Sequence, residues 1–187
     1  EDMNYNLATV EDLKNIANNL NGTYKLMNDI DLGGEVWVPL GTFTGSLDGQ
    51  GHVIKNMKIT KTGNCIGFFE VAKGATIQNL GFENANISGG YQDVGAIVGQ
   101  LQASTVKNCY VANSYIQGGD HTGAIVGLIR NLEGQSEDDP NLVGGTVSNC
   151  ISDAHVVSTY YQAGGIVGVS RGGTVENCIF SGIVECK

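Results

Sequence analysis

No stretch of this sequence stays apolar over the roughly twenty residues that a membrane-crossing helix needs, so insertion into a bilayer by a helix is not expected. Basic residues are scarce. Ten lysines and arginines stand against 19 acidic residues, for a formal net charge of −9. The few cations are dispersed, which excludes nucleic acid and anionic membrane as partners, because nothing would neutralise a row of phosphates. There is no His-Glu-x-x-His and no Cys-x-x-Cys, which removes the usual helical zinc-peptidase site and the commonest thiolate zinc site. No secretory leader is visible, and the chain opens on Glu1, so a mature form or an excised piece is expected. Only two prolines occur, against 28 glycines in 187 residues. That imbalance suits many short strands joined by tight turns.

What the sequence does have is repetition. The phrase Ser104-Thr105-Val106-Lys107-Asn108-Cys109-Tyr110-Val111, followed by Thr122-Gly123-Ala124-Ile125-Val126-Gly127, has an earlier copy. That copy reads Ala75-Thr76-Ile77-Gln78-Asn79-Leu80-Gly81-Phe82 with Val94-Gly95-Ala96-Ile97-Val98-Gly99. It returns as Gly145-Thr146-Val147-Ser148-Asn149-Cys150-Ile151 with Ala163-Gly164-Gly165-Ile166-Val167-Gly168, and as a half-copy at Gly173–Ile179. A degenerate first copy is read at Val53–Ile59 with Cys65–Phe69, which aligns Asn56 with Asn79, Asn108, Asn149 and Asn177. Repeats of this length mean a solenoid. The intervals between strands are too short and too rich in Gly and Asn for the crossover helices of a βαβ array. The expected fold is therefore all-β: a parallel β-helix of three short strands per coil, with the Asn residues stacked as a structural ladder at one corner. Gly123 and Gly127 are expected to permit tight bends.

The expected organisation is one β-helix domain over residues 1–187. Residues 1–50 form a cap and a lead-in coil, and residues 51–187 form the repeat coils. A strand is expected within residues 1–8. A helix follows, capped by Thr9 with Asp12 three positions on, as in a capping box. Leu13, Ile16, Ala17 and Leu20 share its apolar face, and Asn21-Gly22 ends it. Such a helix can cover the open end of a solenoid. The Asn and Gly spacings both lengthen between the third and fourth copies, which places an insertion of about 13 residues between Gly123 and Asn149. A polar, acidic surface loop near residues 130–144, with Arg130–Asn141 its most polar part, holds it. No second capping helix closes the sequence, so further domains of the same polypeptide are expected.

Five cysteines cannot all pair within one chain. Cys109, Cys150 and Cys178 share a repeat position, where in-register stacking would strain a disulfide, so they read as buried thiols. Asp29, Asp31 and Asp48 do not match an EF-hand spacing and read as turn residues, so neither a metal nor a cofactor is expected. His52, His121 and His155 fall in separate copies and read as surface or turn histidines.

The signature Tyr24-x-Leu26-x-Asn28-Asp29-Ile30-Asp31-Leu32, then Trp37-x-Pro39-x-Gly41-x-Phe43-x-Gly45-x-Leu47-Asp48-Gly49-x-Gly51-His52-x-Ile54, together with the repeated phrases, resembles the GLUG-type repeats of bacterial cell-surface proteins. Such repeats occur in proteins proposed as adhesins and in the non-catalytic N-terminal region of immunoglobulin A1-protease-like zinc peptidases. The resemblance implies a right-handed parallel β-helix in an extracellular bacterial protein, secreted or surface-attached, with no catalytic residues to carry over.

β-Helices also host polysaccharide lyases and hydrolases, which need clustered carboxylates on one face. The outward pairs Thr76/Gln78, Thr105/Lys107, Thr146/Ser148 and Thr174/Glu176 form no such cluster, and they also break the flat threonine array of an ice-binding surface. We therefore expect no catalysis. The function expected is a non-catalytic surface binding or adhesion module. The alternative is a rigid spacer or an exosite region of a larger secreted zinc peptidase. One ligand-binding corner stands out. Alignment on the repeat glycines sets Tyr91 and Gln92 over Gly119 and Asp120, and these over Tyr160 and Tyr161. Aromatic faces beside an amide and a carboxylate suit a host glycan or an extracellular protein.

Overall fold

The computed structural model describes residues 4–136, 138–141 and 143–187. Residues 1–3 of the expected first strand and Glu137 and Leu142 of the expected loop lie outside them.

The chain winds as a parallel β-helix, with the right-handed sense that parallel crossovers take. Each of the four full coils from Ser46 to Ser170 carries five short strands, not the three expected. One coil supplies Thr76–Gln78, Gly81–Glu83, Asn86–Ile87, Gly90–Val94 and Val98–Gln102. Neighbouring coils pair strand on strand, which gives five parallel stacks of seven, six, five, four and five strands among the described residues. The corner between the second and third of these strands is turned at Asn84, as at Asn113 one coil on, with positive φ.

Two of these corners are columns of asparagine. Asn79, Asn108, Asn149 and Asn177 follow the in-register set Gln78, Lys107, Ser148 and Glu176, and all four have φ between 52° and 56°. This left-handed conformation is strained for most side chains and least so for Asn. Asn79 donates to Asp48 Oδ1 at 3.1 Å, and Asn108 donates to Asn79 Oδ1 at 3.3 Å. Asn56 does not belong to this column, contrary to the sequence alignment. Asp48 pairs with Gln78, so Gly49 stands level with Asn79. Asn56 instead begins a second column with Asn84 and Asn113, whose φ values are 61°, 54° and 50°. It donates to Asp31 Oδ1 at 2.8 Å and accepts from Asn84 at 2.7 Å.

Between the asparagine columns the inward residues stack into a dry interior. Leu47, Ile77, Val106 and Val147 form one column, and Ile59, Ile87, Ile116 and Val156 another. All eight are fully buried. Toward the N-terminal end the filling is aromatic, with Trp37 stacked on Phe68 at 4.9 Å and Phe43 on Phe69 at 4.3 Å. Gly123 and Gly127 do not have positive φ. A Cβ on Gly127 would lie 2.3 Å from the Val94 backbone nitrogen, and one on Gly123 2.4 Å from the Val126 oxygen. They are required for close backbone approach, not for bending.

Thr9 caps the helix Val10–Asn15 with the full capping box expected, and a 3-10 turn, Ile16–Asn18, continues it. Leu13 and Ile16 are fully buried against the first coil, but Ala17 is exposed, because the tightened turn rotates it outward. The helical segment ends at Asn18, before Asn21-Gly22, and Gly22 keeps a negative φ. Arg130 ends one strand and Thr146 begins the next. In the preceding coil only Ala103 and Ser104 separate the equivalent Gln102 and Thr105. Within the inserted segment the Glu133 amide donates to Gln102 Oε1 at 3.3 Å.

Candidate functional site

The corner between the third and fourth stacks is uneven, and the unevenness follows from coil length. Gly90 pairs with Gly63 and Gln92 with Asn64, so Tyr91 bulges out of register, although five positions separate Ile87 from Gln92 and Ile59 from Asn64 alike. The next coil is shorter: Ile116 pairs with Ile87 and Asp120 with Gln92, which leaves one residue fewer between them. The coil after that is long. Ser158 pairs with Gly118 but Ala163 with Thr122, so one extra residue lies between, in the stretch that holds Tyr160 and Tyr161. Extra residues of this kind lift a side chain out of the ladder. The result is a recess of about 370 Å³, with Gly119 and Asp120 at its floor and Tyr91, Gln92, Thr159 and Tyr160 at its walls.

Four of the five residues proposed from sequence thus line one recess: Tyr91, Gln92, Asp120 and Tyr160. Tyr161 does not line it but packs on Tyr160, with ring centroids 4.0 Å apart. The Tyr160 hydroxyl beside it pushes the Tyr161 phenol up from its usual pKa. The rings are open to solvent, with Tyr91 65%, Tyr160 63% and Tyr161 66% exposed. Gly119 cannot carry a side chain, because a Cβ there would lie 2.1 Å from the Tyr91 carbonyl oxygen.

Sequence reasoning missed what lies beneath. His121 is not a surface histidine. It is buried, and its Nδ1 lies 2.6 Å from Oδ1 of Asp93, which is only 2% exposed. Cys65, Asp93 and His121 occupy successive levels of one column, each with positive φ. His121 Nε2 is 3.7 Å from Asp120 Oδ2, and Asp120 Oδ1 accepts from the Gln162 amide at 2.9 Å, which fixes the floor carboxylate. On the other side Gln100 donates to Asp93 Oδ2 at 3.1 Å, and Gln102 donates to Gln100 Oε1 at 2.6 Å. Gln102 is also the residue that holds Glu133. A buried polar chain therefore runs from the recess floor to the inserted loop. The signal was present in the spacing of 28 between Asp93 and His121, which matches that of Gly95 and Gly123.

This column is not a nucleophile with its base. Burial, and then the negative charge of Asp93, push the Cys65 thiol up to about 11. That is the reverse of what a reactive thiol requires. The three aspartates considered for calcium are engaged by the protein. Asp31 accepts from the Gly33 amide at 2.7 Å, Asp48 from the Gln50 amide at 2.9 Å, and Asp29 from the Val53 amide at 2.9 Å. The Cys109, Cys150 and Cys178 thiols point to carbonyl oxygens two residues back in their own coils, at 3.2–3.3 Å.

Comparison with known proteins agrees with this architecture. A crystal structure of a proposed immunoglobulin A1 protease from Bacteroides ovatus superposes with a TM-score of 0.66, covering 97% of this chain and 77% of that one at 20% identity, a likeness of fold. Halomucin of Haloquadratum walsbyi is 31% identical over 89% of this chain. The immunoglobulin A1 protease of Streptococcus sanguinis is 29% identical over 84%, and that of Streptococcus pneumoniae 29% over 83%. The chain spans only 2% of the halomucin length and 8% of each protease. The profile of the M26 IgA1-specific metallo-endopeptidase N-terminal region matches residues 4–118. That match covers more than half of the chain, which therefore belongs to the family of M26 IgA1-specific metallo-endopeptidase N-terminal regions.

Proposed function

We propose that this chain is a non-catalytic, extracellular scaffold and binding segment of a larger secreted or surface-attached bacterial polypeptide. Its task is to hold the tyrosine recess on a rigid stack, as an exosite that engages a host glycan or an extracellular protein. The observation that carries this reading is the short coil between two longer ones, which builds the recess from Tyr91, Tyr160 and the Gly119-Asp120 floor. Membership in a peptidase N-terminal family supports the placement within a larger protein.

A second reading, a surface adhesin, draws on the halomucin likeness, since the same stretch recurs in a protein not named a peptidase. Both readings use the same recess. Immobilised chain screened against host extracellular proteins and glycans should retain ligands that the Tyr91→Ala/Tyr160→Ala variant does not. Identical retention by a folded double variant would remove the recess from the account.

A further inference from the structure

We infer that the recess takes a neutral sugar ring, laid flat between Tyr91 and Tyr160 above Gly119. This rests on the binding role just proposed and names its ligand class. Neighbouring coils stand about 4.8 Å apart, so backbone positions two coils apart are separated by about 9.6 Å. A ring sandwiched between two aromatic faces needs roughly 7–8 Å, one van der Waals contact on each side. Tyr91 and Tyr160 stand two coils apart, with Gly119 on the coil between. No side chain can close the gap, because a Cβ on Gly119 would collide with the Tyr91 carbonyl.

The polar groups fit hydroxyls. Gln92 lines the recess, and its amide makes no hydrogen bond among the described residues, so it offers both a donor and an acceptor. Asp120 supplies an acceptor whose direction is fixed by the Gln162 amide and by His121. The C–H face of a pyranose meets the ring faces, and its hydroxyl rim meets these groups. An anionic sugar is disfavoured. The lining has one carboxylate and neither lysine nor arginine, and the whole chain carries −9. A quaternary ammonium would find the tyrosines and the carboxylate, but it would leave the Gln92 amide idle.

The test is a glycan array probed with the whole chain. Neutral hexose- and N-acetylhexosamine-terminated glycans are set against sialylated and uronic-acid-terminated ones, with a choline titration alongside. Neutral glycans should bind, their acidic counterparts about tenfold more weakly, and Tyr91→Ala and Tyr160→Ala, each checked for fold by circular dichroism, should each lose at least tenfold. Failure of every neutral glycan, a preference for acidic ones, displacement by choline, or unchanged binding in the folded variants would each overturn the inference. Capture of an extracellular protein that survives enzymatic removal of its glycans, yet still needs both tyrosines, would overturn the sugar assignment and leave the binding role standing.

Discussion

Asn108 donates its side-chain amide to the side-chain oxygen of Asn79, 3.3 Å away on the preceding coil, and both residues hold a left-handed backbone. Two costs therefore attach to replacing Asn108: the ladder bond, and the strain of putting another side chain at φ 52°. Asn108→Ala should lose about 2 kcal/mol, and Asn108→Gly about half of that, because glycine carries no strain at this φ. Urea denaturation of the two variants separates the terms.

Beneath the recess, His121 and Asp93 form a buried pair. Truncating either leaves the other without its partner in a site closed to water. His121→Ala and Asp93→Ala should each destabilise by about 3 kcal/mol, and the double variant by clearly less than the sum. Additive losses in a double-mutant cycle would mean that the two do not act as a pair.

Acid should weaken the N-terminal cap. The Ala8 amide, with those of Thr9 and the Thr9 hydroxyl, holds the Asp12 carboxyl below its usual 3.8. A group whose folded pKa is depressed contributes above its unfolded value and loses that contribution as pH falls through the folded one. The side chain is exposed, so the loss should be about 1 kcal/mol or less. Thermal melts between pH 6 and pH 3 should show Asp12→Asn converging on the parent as the solution becomes more acidic.

The thiols should divide by environment. Burial pushes Cys65 up to about 11, and the adjoining Cys150 thiol together with burial raises Cys109. Cys186 is exposed. Iodoacetamide at pH 8 followed by peptide mass spectrometry should find Cys186 modified first, with Cys65 and Cys109 protected until the chain unfolds.

Much of this was legible in the sequence because the repeat sets both period and face. The Thr-Val/Ile-x-Asn phrase gave the first strand and its corner, and Thr9 with Asp12 gave the helix start. Tyr91 and Tyr160 could be brought to one corner by counting from the glycines. Asn56 was misplaced for a physical reason: Asn turns two different corners of each coil at positive φ, so the residue type does not say which corner it marks. The three-strand expectation also left the corner at Asn84 and Asn113 unassigned. His121 was missed because its burial depends on Asp93 and Gln100, both brought to it by the winding of the coils.

The central claim is that the extra residues of the long coils serve display and not folding, and deletion of Tyr91 tests it most directly. Without Tyr91 the coil matches the one that follows it in length at this corner. A chain lacking Tyr91 should keep its circular dichroism spectrum and melt within a few degrees of the parent while losing ligand retention. Retained binding, or loss of cooperative melting, would contradict the account.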